Sequence, residues 1–241
     1  MSNNLQKDYE IVVAHYGEDL EWLKPYAKDA IVYHKWKEDK PRFECKKWIK
    51  INNVWREGHT YLYHIVNNYD NLPEYTFFFQ WWIEDHKKSW DVYNNIEKYF
   101  SEAKKYKFSC ASLLYMVKRN PQIKHGGKWL EMLENGSMQK AKYSFSDFYK
   151  KLLWEEQKIL TPIFYAANFW VSKDLIQNRW KWFWQNALSL MPEHPNPEEW
   201  HYFERLWFRI FNPKWGYSFR YIIKFIKTLF VAGYYKILKK H

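Results

Sequence analysis

A chain of 241 residues is long enough for one sizeable domain, or for a domain with an inserted subdomain. It buries roughly three-quarters of its unfolded surface, so it needs no staples. The net charge of +11 asks for an acidic partner such as nucleic acid, anionic lipid or a sugar nucleotide, and the lack of any apolar run of about 18 residues excludes a spanning helix.

Cys45 and Cys110 have neither CxxC nor metal-site spacing and read as packing residues in a reducing compartment. Residues 1–10 contain no apolar core, so no signal peptide is expected and the protein is read as cytoplasmic. One feature of composition is unusual: 16 Trp against 7 Gly, where about 17 Gly would be ordinary.

In chain order, residues 9–16 form a β-rich run closed by a turn at Gly17-Glu18-Asp19, and Asp19 can cap a short helix through Leu23. Residues 30–34 read as a second strand and residues 35–42 as a charged loop. Residues 56–69 read as a helix with a buried face at Leu62, Ile65, Val66 and Tyr69. Residues 75–80 are a third, fully buried strand. This order predicts an α/β fold with a mostly parallel sheet and flanking helices. Sites in such sheets lie beyond the carboxyl ends of the strands, which selects the loops at His15 to Asp19, His34 to Lys37 and Gln80 to His86.

Residues 87–158 are polar and Lys-rich and are expected to be a mainly helical insertion. Residues 162–171 return to strand chemistry, Ser172 opens a helix, and 197–211 form another, on which His201, Glu204 and Arg205 share one face. Residues 217–241 form a basic amphipathic C-terminal helix. It suits either an anionic membrane surface or packing on its own domain.

The densest chemistry lies at residues 52–64, where Arg56, Glu57 and His59 sit near a helix N-terminus that favours an anion. On this stretch alone, a capped helix with an ordinary ion pair is the simpler reading. Asp85 and His86, after the third strand, could hold a divalent metal or contact a sugar. A solvated loop capped at Asp85 is the simpler reading of that spacing. The chain lacks a P-loop, HExxH, GxSxG and the Rossmann glycine fingerprint. Basic and aromatic residues are abundant, yet no nucleic-acid module is recognisable.

Four segments carry a resemblance: residues 11–23, residues 53–65, Phe78 to Trp81 with Asp85 and His86, and residues 197–207. They resemble the family called domain of unknown function 3431. Its motifs are in turn similar to those of cytoplasmic glycosyltransferases with the type-A nucleotide-sugar fold, of the rhamnan-synthesis kind. The resemblance implies one glycosyltransferase-like domain over 1–216 and a nucleotide-sugar donor. It also implies a cell-surface polysaccharide or lipid-linked acceptor, at the inner face of the membrane through 217–241. Glu204 and His201 are the implied catalytic pair, with Glu204 or His201 as general base. His15, Tyr16, Asp19, Lys35, Arg56, Glu57, His59, Gln80 and Arg205 would contact nucleotide or substrate, and Asp85 and His86 a manganese or magnesium ion. The alternative is a non-catalytic basic module for nucleic acid, anionic polymer or a membrane surface.

The departures from the family pattern are consistent in kind. Trp36, Trp55, Trp81 and Trp200 stand where the family favours Gly, and Trp serves neither tight turns nor close backbone approach. UGA codons read as glycine in the source lineage, and translated here as tryptophan, would account for both the Trp excess and the Gly shortage.

Overall fold

In chain order the elements are β1 (Tyr9–His15), β2 (Ala30–His34), β3 (Lys47–Lys50), α1 (Arg56–Asn68), β4 (Tyr75–Gln80), α2 (Ile96–Ala103), β5 (Phe108–Cys110), β6 (Tyr115–Lys118), α3 (Lys128–Glu134), α4 (Phe145–Leu153), β7 (Leu160–Ile163), β8 (Phe169–Ser172), α5 (Lys173–Gln177), α6 (Lys181–Ser189) and α7 (Glu198–Phe211). The computed structural model describes residues 8–37, 43–80, 96–103, 105–110, 114–119, 123, 125–164, 167–212 and 226. The expectations for Trp81, Asp85 and His86 lie outside these residues, as does all of 217–241 except Ile226.

Six strands form one sheet in the order β3-β2-β1-β4-β8-β5, and β6 pairs with β7 in a separate ribbon. The first four are mutually parallel, whereas β8 runs antiparallel to both β4 and β5. The central strands are apolar on both faces, as a sheet covered on both sides requires. Side chains alternate between those faces. Val12, Ala14, Ile31, Tyr33 and Phe78 join a core with α1, α4, α6 and α7. Ile11, Val13, Val32, Phe77 and Phe79 meet α2 and the 3-10 segment Glu21–Asp29 on the other face.

The sheet is therefore mixed α/β and mostly parallel, as the element order predicts. Three details differ from the sequence reading. β3 forms where no strand is expected, because its flanking Lys47 and Lys50 mask a half-buried edge strand. Within 87–158 the described residues hold the helices α2, α3 and α4 and, besides them, β5, which completes the main sheet, and β6. Three residues, Phe-Ser-Cys, are too short to display alternation. The run at 162–171 divides into β7 and β8, which belong to different sheets. No helix among the described residues is long and apolar enough to cross a membrane.

Candidate functional site

The order of strands reverses at β1, with β2 and β3 added on one side and β4 on the other. At such a reversal the loops diverge and leave a crevice beyond the carboxyl ends. A cavity of about 370 Å3 occupies that place, walled by Ala14, His15, Tyr16 and Glu18 from the β1 end and by Lys35 from the β2 end. Asn53, Arg56 and Glu57 from the β3–α1 turn close it, together with Pro195 from the loop before α7.

The β1 end is stiffened by its own hydrogen bonds. His15 and His34 are register partners, and one Nδ1 donates to the other across 3.2 Å. His15 Nε2 lies 3.0 Å from the Glu18 carbonyl. The Glu18 carboxylate accepts the Tyr16 N–H at 2.7 Å. Burial pushes the Glu18 carboxyl above its usual range, and the Tyr16 N–H pulls the other way. Gly17 turns the chain at φ +91°, a left-handed value that suits only glycine there.

Lys35 is buried, and its Nζ donates to the carbonyls of Val54, at 2.7 Å, and Arg56. Burial lowers the ammonium to about 7, against the pull of Glu57. Lys35 thus ties β2 to the turn that aims Arg56. The same turn is fastened from the far side. The N–H groups of Trp55 and Arg56 donate to the carbonyls of His194, at 2.9 Å, and Pro195, at 3.1 Å. The loop at 192–197 therefore reaches the cavity although it lies some 140 residues from α1 in sequence.

Behind the cavity α1 crosses α7. Arg56 has its guanidinium 5.2 Å above the Trp129 ring and Nε 3.6 Å from Glu57 Oε2. Glu57 also accepts the Trp200 indole N–H at 3.2 Å. One turn along α7 from Trp200 stands Glu204, whose side chain is 18% exposed. Burial first, and then the neighbouring Glu57 charge, raise its carboxyl to about 7, while Arg205 and Arg56 oppose the rise. His201 Nδ1 is 3.9 Å from Glu204 Oε2. Burial, then Arg205, Arg56 and His125, hold His201 down to about 3, so its ring is neutral. Trp129 packs on that ring at 4.6 Å, and His125 Nε2 donates to Glu198 Oε1 at 2.9 Å. A neutral imidazole and a carboxyl poised near neutrality thus stand close to Glu57, which lines a cavity of mixed charge with Glu18, Lys35 and Arg56.

Five of the residues read from the sequence as ligand-binding, His15, Tyr16, Lys35, Arg56 and Glu57, line the cavity. Glu204 and His201 stand together behind Glu57. Four others are placed elsewhere. Asp19 accepts the Glu21 N–H at 3.0 Å and so caps the 3-10 segment. His59 packs between Trp55 and Tyr63, and burial followed by Lys35 lowers it to about 4. Gln80 ends β4 with its N–H on Asn168 Oδ1 at 2.8 Å. Arg205 donates to the His201 carbonyl.

Sequence reasoning missed Glu18, Asn53, Ala14 and Pro195 as wall residues. The first two lie within or beside the windows it selected, whereas Pro195 has no local signal. Among the described residues, no group of three His, Cys, Asp or Glu side chains is arranged to hold a metal ion.

Fold and site together define an α/β protein with its cavity at the carboxyl ends of a mostly parallel sheet. The chain belongs to the family described as protein of unknown function (DUF3431), which matches residues 11–219. No curated protein and no solved structure matches it.

Proposed function

We propose that the protein is a glycosyltransferase that moves a sugar from a nucleoside diphosphate donor to a hydroxyl of a glycan or lipid-linked acceptor. The observation that carries the reading is the pairing of a cavity that holds Arg56 and Lys35 beside Glu18 and Glu57 with a nearby carboxyl held at about 7. Arg56, Lys35 and Glu57 wall the cavity, and Glu204 feels the charges of Glu57 and Arg56. A diphosphate suits the Arg56 guanidinium, the Trp55 and Arg56 N–H groups at the start of α1 being held by His194 and Pro195.

In the proposed reaction the acceptor oxygen forms a bond to the anomeric carbon, and the bond from that carbon to the diphosphate oxygen breaks. The acceptor proton passes to Glu204. A carboxylate whose pKa lies near the working pH is both available as a base and strong enough to act. The electron pair leaves with the diphosphate, whose added charge Arg56 offsets. His201, neutral and 3.9 Å from Glu204, stands beside that carboxylate without adding a charge.

The test is a thermal-shift screen of nucleoside diphosphate sugars with and without manganese, followed by measuring nucleoside diphosphate release in the presence of glycan acceptors. Stabilisation by one nucleotide class, with release that depends on acceptor, supports the reading. No shift and no release, with steeply salt-dependent binding to RNA or anionic vesicles instead, would replace it with the basic binding module.

A further inference from the structure

Three described residues other than glycine have left-handed backbone: Trp55 at φ +52°, Arg56 at φ +49° and Trp154 at φ +55°. A bulky side chain is a genuine outlier there. Two of the three are nonetheless tryptophan, and the third follows a tryptophan directly.

Trp154 ends α4, and its N–H donates to the Lys150 carbonyl at 2.8 Å. A left-handed residue making that bond at a helix end is usually glycine. The side chain is only half buried, at 50% exposure, leaning on the exposed Trp182 at 4.6 Å and edge-on to the buried Phe183 at 5.7 Å. Position 154 lies in none of the segments that carry the family resemblance, so it is an independent observation.

The other tryptophans crowd two glycines at the site. Trp36 presses on Gly17, its ring 3.1 Å from where a Cβ would stand, beside Tyr16 at the cavity mouth. Trp200 lies across Gly58, with ring carbons 2.1 Å from the corresponding point, and its N–H occupies Glu57 Oε1. The Trp55 indole stands against His59 and reaches the Pro192 carbonyl. What remains open is about 370 Å3, near the low end of the ~300–1,000 Å3 usual for small-molecule sites.

We infer that positions 36, 55, 154 and 200 are glycine in the native protein, through UGA codons, and that the native site is a single cleft running from the cavity past Glu57 to Glu204 and His201. Removing the Trp200 indole frees Glu57 Oε1 and vacates the gap between α1 and α7 one turn from Glu204. Removing the Trp36 ring opens the mouth at Gly17. The cleft then joins the anion-binding wall to the proposed base, which the tryptophans now separate. This part rests on the transferase reading, whereas the glycine assignment stands on backbone angles and packing.

The first experiment is to read the coding DNA. UGA at all four codons is the expected result, and UGG at 55 or at 154 overturns the inference. The second compares Trp154→Gly with Trp154→Ala by thermal denaturation. Glycine is expected to raise Tm by a few degrees more than alanine, which also resists the left-handed region, and equal Tm values would refute the backbone argument. The third compares binding of a nucleoside diphosphate sugar to the four-glycine protein and to the protein as written. At least tenfold tighter binding by the glycine form is expected, and equal affinity overturns the cleft. UGA codons with no donor binding by either form would leave the glycine assignment standing and remove the transferase reading.

Discussion

Gly58 offers the sharpest test of how α1 meets α7. It lies in the first turn of α1, and a Cβ added to it would come within 2.1 Å of two Trp200 ring carbons and 2.9 Å of a third. The ring has little room to retreat, because Trp200 is 1% exposed and its N–H is held by Glu57 at 3.2 Å. Replacing glycine by alanine inside a helix would by itself gain about 1 kcal/mol. Overpacking a core costs about 1–3 kcal/mol, and contacts this short against a rigid ring place Gly58→Ala at the top of that range. The expected net loss is about 2 kcal/mol, or a fall in Tm of roughly 4–8 °C for a chain of this length. In a Trp200→Gly background the ring is gone and only the propensity gain remains, so the same substitution should stabilise by up to about 1 kcal/mol. The two backgrounds therefore differ by about 3 kcal/mol, at the upper end of measured couplings between contacting residues. Urea denaturation of the four proteins measures the cycle. An effect of Gly58→Ala that is the same in both backgrounds would show that Trp200 does not pack on Gly58, and the crossing described above would be wrong.

Other substitutions separate binding from chemistry and stability from both. Glu204→Gln keeps the shape and removes the base, so turnover should fall about 10²–10⁴-fold with donor affinity little changed. An equal loss of affinity would instead place Glu204 in binding. Arg56→Ala should weaken donor binding by ~1.5–3 kcal/mol and flatten its salt dependence, read by calorimetry at two ionic strengths.

The pH dependence of stability has two opposed parts. His201 has its folded pKa depressed to about 3 from an ordinary 6.5, so its contribution is present above pH 6.5 and is lost as pH falls towards 3. His201→Asn should make the acid limb shallower. Glu204 has its folded pKa raised to about 7 from 4.5, so its contribution is present below pH 4.5 and is lost as pH rises through 7. Glu204→Gln should abolish that decline, and denaturant midpoints taken from pH 3 to 8 in both variants would expose an error in either sign.

The residues alone determine those parts of the fold whose signals are local. β2 falls at Ala30–His34, where the second strand is expected. α1 starts at Arg56, and α7 runs from Glu198 to Phe211, because apolar positions recur at helical spacing over several turns. The β1 and β2 loops were selectable as a site because parallel strands deliver their carboxyl ends to one edge. His15, Tyr16, Lys35, Arg56 and Glu57 do meet at a cavity there.

Tertiary structure decides everything that depends on what lies opposite. β3 and β5 become strands only by pairing, with β2 and with β8, since four and three residues carry too little pattern of their own. Pro195 reaches the cavity because backbone hydrogen bonds from Trp55 and Arg56 draw its loop across. His201 and Glu204 were visible as neighbours on one helix face, but their opposite displacements, to about 3 and about 7, come from burial and from the charges of Glu57, Arg56 and Arg205. The left-handed turn at Trp154 had no counterpart in the sequence at all. A backbone angle is set by where the chain must go next, and only the folded chain states where that is.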